Sequence, residues 1–331
     1  MASEGSFWKG RAVLVTGASG LVGSWLVKSL LDLQARPVCL VRDLVPDSIF
    51  FSEGLSGRAC VVNGSLEDLH TLERAISEYE PQTIFHLGAQ TLVQTANGSP
   101  LGTFRANIEG TWNLLEAARR CPGQIGQIVV ASSDKAYGEQ KKLPYTEDMA
   151  LQGRHPYDVS KSCADLISQS YAQTYGMPIV ISRCGNFFGG GDLNFSRIVP
   201  GTIRSLWGGQ RPKIRSDGGP IRDYIYVKDA VSAYLALAEK YSPKLSGQAF
   251  NFTNGAQLSA LGMVSKISGM MGKGIKPEIL NSSKGEIRDQ HLSAEKAERL
   301  LGWKAKYGID DGLKETIEWY VSYFEAGGKA R

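Results

Sequence analysis

A chain of 331 residues, 42% hydrophobic and 21% charged, has the composition of an ordinary globular protein, which excludes a disordered one and allows one large unit plus a small one. Its net charge of +4 comes from Lys and Arg spread along the chain without a dense basic stripe, which excludes a nucleic-acid partner. No run approaches the roughly 20 apolar residues of a membrane span, so a cytoplasmic protein with no membrane partner is expected.

The opening, MASEGSFWKGRAVLVTG, holds no apolar stretch of signal-peptide length. Its run AVLVTG is short, apolar and β-branched, and the helical pattern LVGSWLVKSLLDL begins directly after it. Gly17, Gly20 and Gly23 fall between the two, at a strand-to-helix junction where backbone N–H groups cradle a pyrophosphate. Gly17 permits the tight turn, Gly20 lets phosphate approach the backbone, and Gly23 lets the helix pack on the strand. The second strand, VCLV, ends at Arg42 and Asp43, where a dinucleotide fold selects its cofactor. A carboxylate there binds the ribose hydroxyls of NAD and an arginine pairs with the extra phosphate of NADP, so NAD is expected, with NADP open because of Arg42.

Strand-like and helix-like segments then alternate: RACVVNG, LHTLERAISEY, TIFHLGA, NIEGTWNLLEAARR and QIVVASS. That order predicts a parallel sheet covered on both faces. The loops GSLED and LGAQ open on its carboxyl edge and bring Leu66, Gly88 and Ala89 towards the cofactor. His86, with apolar neighbours, reads as a packed strand residue. Beyond Asn186 a Gly-, Pro- and Arg-rich stretch covers the ligand, followed by the strand YIYV, the helix KDAVSAYLALAEKY and the strand QAFNFT, which returns to the sheet. From about Leu258 come short helices, a strand and a last helix from Ile309–Asp310 to Gly327–Gly328. The expected fold is thus α/β: a Rossmann-type doubly wound parallel sheet (1–186 and 222–257) with a smaller, interleaved C-terminal α+β substrate domain (187–221 and 258–331). Cys39, Cys60, Cys121, Cys163 and Cys184 show no CxxC or Cys/His spacing, so free thiols and no metal are expected.

Two segments carry chemistry: SSDKAYG after QIVVA, and YDVSK. In the amphipathic pattern YDVSKSCADLISQSYAQTYG, Tyr157 and Lys161 lie one helical turn apart on one face. A tyrosine with a pKa near 10 is a poor base at neutral pH. An adjacent ammonium and a cationic nicotinamide both favour its phenolate. Lys161 also suits the cofactor ribose, and Ser132 or Ser133 the substrate hydroxyl. A second YxxxK, Tyr224 to Lys228, lies in strand-like alternation with no serine segment before it and shows that the spacing alone decides nothing.

TGASGLVG, FHLGAQ, NIEGTWNLLEA, SSDKAYG, YDVSK, RCGNFFGGGD and RDYIYVKDA, in that order, resemble the extended short-chain dehydrogenase/reductase family and, within it, the NDP-sugar 4,6-dehydratases. FWKG, SDK, HPYDVSK and GNFFGGGD are most similar to the CDP-glucose 4,6-dehydratase branch. GGPIRDYIYVKDA is more similar to thymidine- or uridine-sugar members, which leaves the base open. The family's usual Asp-Glu pair is here Asp134-Lys135, as expected of the CDP-glucose branch.

The resemblance implies Ser133, Asp134, Lys135, Tyr157 and Lys161 as catalytic. Tyr157 would remove the 4-hydroxyl proton as hydride leaves C4 for the nicotinamide, and the 4-keto group then acidifies C5. Lys135, if neutral, would take the C5 proton while protonated Asp134 gives one to the departing 6-hydroxyl, and hydride returns at C6. It further implies Ser19, Leu21, Val22, Ser65, Leu87, Gln90, Asn107 and Ser132 around the cofactor. Asn186, Arg197, Val199, Arg222 and Arg288 are implied around a nucleotide-diphosphate sugar, with Arg215 a further arginine of the same loop. A homodimer through the helices at 107–119 and 158–175 is expected by the same resemblance. A 4-epimerase shares all but the acid and base, a nucleotide-linked uronic acid decarboxylase would use Lys135 for the substrate carboxylate, and a non-catalytic dinucleotide-binding protein would need none of them.

Overall fold

The computed structural model describes residues 7–121, 123–282 and 287–328. Its strands, numbered in chain order, are β1 (Ala12–Thr16), β2 (Arg36–Val41), β3 (Cys60–Asn63), β4 (Thr83–His86), β5 (Gln127–Ala131) and β6 (Ile179–Cys184). They continue with β7 (Asn186–Phe188), β8 (Lys213–Ile214), β9 (Ile221–Tyr226), β10 (Ala249–Phe252), β11 (Gln257–Ser259) and β12 (Glu278–Ile279). Seven of them form one parallel sheet in the order β10-β6-β5-β4-β1-β2-β3. The chain leaves β1 for β2 and β3 on one side and resumes with β4 on the other. The topological switch therefore falls between β1 and β4, where the carboxyl edge of such a sheet opens a crevice.

Both faces of this sheet are covered, which is why β1 and β4 are buried at every residue. Val13 and Val15 pack with Leu26, Val27, Phe85 and Phe250 on one face. Leu14 packs with Leu72, Ile84, Leu114 and Ile128 on the other. Helices begin where sequence places their signals: Asp68 caps Leu69–Tyr79 by accepting from Thr71 N at 3.2 Å, and Pro156 sits in the first turn of Pro156–Tyr175, which ends at Gly176 with φ +64.

A second sheet, β11-β9-β7, stands beside the end of β6. The stretch 222–257 was assigned by sequence to the dinucleotide unit. Its helix Val227–Glu239 packs on helix Leu21–Asp32 and β10 extends the large sheet beside β6, but β9 pairs in the second sheet. Pairing partners far apart in sequence decide this, and local alternation does not report them. A third core of Phe188, Val199, Ile203, Tyr226, Met263 and Leu313 fills the smaller unit. Among the described residues no helix is long and apolar enough to cross a membrane, and the five cysteines are free thiols.

The helix that presents Tyr157 is anchored by a buried ion pair. Arg183 on β6 donates through Nε to Asp165 Oδ2 at 2.8 Å and through Nη2 to Oδ1 at 2.9 Å, with the two side chains 3% and 0% exposed. Asp165→Ala would leave a buried guanidinium without its carboxylate, at a cost of about 3–5 kcal/mol. The expected outcome is a clearly lower urea midpoint, measured by far-UV circular dichroism.

Candidate functional site

A cleft of about 1020 Å³ runs along the carboxyl edge of the large sheet and on between the two units. Its first half is built by the glycine turn. Gly17 has φ +70, and a Cβ there would lie 2.8 Å from Gly88 Cα and N; a Cβ on Gly23 would lie 2.0 Å from Gly17 O. Both positions exclude any larger residue, because rigid backbone stands in the way. Gly20 is the N-cap of helix Leu21–Asp32, which has no side-chain cap and no acidic residue in its first turn. The helix start therefore offers uncapped N–H groups and the positive dipole end to the cleft, the donor set that a pyrophosphate requires. Ser19, Leu21, Val22, Ser65, Leu66, Leu87, Gly88 and Ala89 line the same half.

Arg42 and Asp43 also line it, exposed and paired with each other at 2.7 Å. Each occupies the other, so neither is committed to a ribose or a phosphate. Gln90 and Asn107 are not part of the lining. Asn107 is buried and accepts from Gln90 N at 2.7 Å while its Nδ2 lies 2.9 Å from Gln90 O and from Ser160 Oγ. It braces the loop after β4 against the helix that carries Tyr157. His86 is buried between Thr16 and Thr111 at 2.9 and 3.0 Å, and burial drops its imidazole to about 3. It is a neutral packing residue.

The second half holds Ser133, Asp134, Lys135, Tyr157 and Lys161. Ser133 caps the short turn Asp134–Tyr137, accepting from Lys135 N at 3.2 Å and donating to Asp134 Oδ1 at 3.0 Å. Asp134 is 2% exposed and its Oδ2 has no hydrogen-bond partner. Burial raises its carboxyl, with Lys135, Ser133 and Arg222 opposing. Tyr157 and Lys161 rise from helix Pro156–Tyr175 into the same space. Burial and then Asp134 push the Tyr157 phenol up to about 12, against Arg197 and Ser133. Burial brings the Lys161 ammonium down to about 8, and its Nζ donates to Ala131 O at 2.8 Å. Ser132 lines the cleft with its hydroxyl buried and without a partner.

Asn186, Arg197, Val199 and Arg222 line the adjoining wall, as does Arg215. Arg197 pairs with Asp192 at 3.0 Å and donates to Thr91 Oγ1 at 2.9 Å, while Arg215 donates to Gln94 Oε1 at 2.9 Å. Arg288 does not join them. It is exposed and off the lining, and what it contributes is its main-chain carbonyl, which accepts from Ile221 N at 2.8 Å and Arg222 Nη1 at 3.2 Å. The second YxxxK pair is split: Tyr224 lines the cleft from β9, whereas Lys228 pairs with Glu315 on the last helix.

Two residues of this site escaped sequence reasoning. Asp158 lines the cleft, 5% exposed, and burial raises its carboxyl against Lys135 and His155. It stands next to Tyr157 in the YDVSK segment, so its position on the helix was a usable signal. Gln290, 0% exposed, accepts from Lys135 Nζ across the fold, and no spacing announces it.

The sequence of the NAD dependent epimerase/dehydratase family matches residues 13–252, and the chain belongs to that family. It is 28% identical to the CDP-glucose 4,6-dehydratase of Salmonella typhimurium, over 96% of this chain and 92% of that one. It is 27% identical to the UDP-glucose 4-epimerase of Mycolicibacterium smegmatis, over 93% and 97%. Among solved structures it resembles a dTDP-glucose 4,6-dehydratase from Bacillus anthracis in complex with NAD, with a TM-score of 0.84, 26% identity and coverage of 95% and 98%. The UDP-glucose 4-epimerase of Thermotoga maritima with UDP-glucose gives a TM-score of 0.87 at 27% identity, covering 95% and 100%. The protein is therefore an NAD-dependent enzyme of this family.

If the glycine turn holds the NAD pyrophosphate, Gly23→Ala pushes the helix start off Gly17 and spoils the cradle. NAD affinity is expected to fall at least about tenfold, equivalent to about 1.4 kcal/mol. Isothermal titration of NAD into the two proteins checks this.

Proposed function

We propose that the protein is an NDP-hexose 4,6-dehydratase, converting CDP-glucose to CDP-4-keto-6-deoxyglucose, rather than a 4-epimerase. The observation that carries the reading is the buried Asp134 carboxyl beside Tyr157, favouring its protonated form and leaving Oδ2 without a partner. An epimerase moves no proton at C5 or C6 and has no use for a carboxylic acid whose burial favours its neutral form in this place. A dehydratase needs one to protonate the departing 6-hydroxyl.

Bound NAD supplies a two-electron acceptor that returns what it takes, so the net change is loss of one water. Tyr157 accepts the proton of the sugar's 4-hydroxyl, with the Ser133 hydroxyl beside it. Its high value in the free protein makes it a base only when positive charge gathers around it. Lys161 at about 8 is still mostly cationic at pH 7 and is part of that charge. Lys135 takes the C5 proton and Asp134 delivers its own to the 6-oxygen, which leaves as water; as C6 is then reduced, Lys135 gives its proton back to C5, and the proton that Tyr157 took from the 4-hydroxyl replaces the one Asp134 gave up. Arg222 and Arg197 offer planar forks for the diphosphate, with Asn186 next to the sugar.

The same reading includes a homodimer. Trp112, Leu166 and Tyr175 are exposed on the neighbouring helices Gly110–Arg119 and Pro156–Tyr175, and Leu101 is exposed on the short helix packed beside them. A second copy of the chain would cover them.

Incubation with CDP-, dTDP-, UDP- and GDP-glucose and catalytic NAD is expected to remove about 18 mass units from the CDP sugar, read by mass spectrometry. Tyr157→Phe and Asp134→Asn should each lower kcat by about 10² to 10⁴. Because Asp134 acts as an acid with a raised pKa, kcat should fall as pH rises through that value. A product of unchanged mass with inverted C4 would make the protein an epimerase and remove the roles of Asp134 and Lys135. By light scattering, the wild type is expected as a dimer at micromolar concentration and Trp112→Glu/Leu166→Glu as a monomer; a monomeric wild type overturns the dimer.

A further inference from the structure

A dinucleotide lies across the switch point of a doubly wound sheet, so its two halves follow the strand order in opposite directions. The glycine turn stands at the end of β1, and Arg42 and Asp43 at the end of β2, which gives the adenosine half to that side. The nicotinamide half then runs over the ends of β4, β5 and β6, where Ala131, Ser132, Cys184 and Gly185 line the cleft. Tyr234, from the middle of helix Val227–Glu239, joins this lining although it is only 1% exposed. Its helix packs on β5, on β6 and on helix Leu21–Asp32, whose start is the pyrophosphate cradle, so both halves of the cofactor rest on one packed unit. Val180, Ser182 and Cys184 alternate onto the face of β6 that this helix covers, where Val180, Cys184 and Tyr234 share a core with Val129 and Phe250. Deeper in, that face is apolar, and it turns polar only at the cleft. Ser182 is 0% exposed, its Oγ lies 3.0 Å from Cys184 Sγ, and it also bonds the Tyr234 hydroxyl. Burying such groups is costly unless they serve one another, as these do.

We propose that Tyr234 is a cofactor-binding residue whose hydroxyl holds the carboxamide of the nicotinamide ring at the cleft floor. The inference rests on NAD lying across the switch point and stands whether the sugar is dehydrated or epimerised. Burial raises the Tyr234 phenol well above its ordinary value and pushes the Cys184 thiol up to about 12, so both stay protonated and neutral at pH 7. Cys184 and Tyr157 add to the rise at Tyr234, which puts its hydroxyl at the Tyr157 end of the cleft. Ser182, Cys184 and Tyr234 bring no cation for a phosphate or a carboxylate. A primary amide, neutral and both donor and acceptor, is what such a cluster suits. A phenol oxygen carries one proton and also accepts, so its bond to Ser182 leaves it able to make a second. Fixing the amide would fix the ring's rotation about its bond to ribose. In the sequence Tyr234 is one more large residue on the buried stripe of an amphipathic helix, and nothing in its spacing sets it apart.

Isothermal titration of the full chain, cleared of any nucleotide that copurifies, tests this without turnover. The ligands are NAD, its 3-acetylpyridine analogue, in which a methyl group replaces the amide nitrogen, and ADP-ribose, which lacks the ring. Tyr234→Phe removes the hydroxyl and keeps the ring that fills the core, and its melting temperature verifies the fold. The wild type should bind NAD about five- to tenfold more tightly than the analogue, and Tyr234→Phe should weaken NAD by a similar factor. Affinities for the analogue and for ADP-ribose should change by less than about twofold. Such a coupling between one hydroxyl and one amide is not produced by a merely structural role, which would weaken all three ligands together. Equal losses for all three, or an unchanged NAD affinity in Tyr234→Phe, overturn the proposal. Equal losses for NAD and the analogue, with ADP-ribose unaffected, overturn it as well, because the hydroxyl would then meet the ring and not its amide. None of these readings involves a sugar nucleotide, so they decide the role of Tyr234 independently of which reaction the enzyme performs.

Discussion

Asp223 is 1% exposed, and both of its carboxylate oxygens are used: Oδ1 accepts from the Thr253 hydroxyl just beyond β10, and Oδ2 accepts from Leu292 N at 3.0 Å. Its carbonyl meets Asn186 Nδ2 at 3.4 Å, and a Cβ on Gly185 would lie 2.7 Å from that same oxygen. One residue of β9 thus joins the edge strand of the large sheet, the crossing point after β6 and the segment that carries Gln290. Burial pushes the carboxyl up to about 7, and its two donors oppose the shift. A buried carboxylate lacking such donors would be strongly unfavourable. With them, it fixes Arg222 and the segment of Gln290 opposite Asp134 and Lys135, so the two walls of the cleft share one register.

Around that register, burial acts on the titrating groups in one direction, against charge. It raises the carboxyls of Asp134 and Asp158 and the Tyr157 phenol, and it lowers the Lys161 ammonium. The free site accordingly disfavours charge on these groups. A cationic ring or an anionic diphosphate entering such a place changes the proton affinities of its neighbours far more than it would in water. Tyr157 illustrates the consequence, since a phenol at about 12 becomes useful only when added positive charge stabilises its anion.

How far these features were legible in the chain depended on whether their cause was local. The glycine turn was legible because the obstacles to a Cβ at Gly17 and Gly23 lie in the turn itself and in the loop after β4. Tyr157 and Lys161 were legible because helical periodicity alone puts them on one face. Arg42 and Asp43 marked the right place at the end of β2, but their choice of each other as partners is a side-chain decision that sequence does not record. Arg288 was misplaced for a related reason. Its main chain is held by Ile221 and Arg222, and its side chain is exposed and outside the cleft lining. The pairing of β9 outside the large sheet, like the reach of Lys135 to Gln290, rests on contacts between distant segments.

The interleaving of the two units also explains why the cleft's mouth is held by weak bonds. Arg197 and Arg215, both from the stretch between β7 and β9, reach across to Thr91 in the loop after β4 and to Gln94 at the start of helix Val93–Gly98. Solvent-exposed hydrogen bonds of this kind contribute only about 0.5–1.5 kcal/mol net each, because water replaces them readily. A phosphate oxygen is the better acceptor for the same guanidinium forks, being charged and matched to their planar geometry. Arg197 keeps its ion pair to Asp192 throughout, so on the proposed function a diphosphate would compete only for the contacts to Thr91 and Gln94. Strong closure here, of the kind that Asp165 and Arg183 make in the core, would have barred the ligand from its own site.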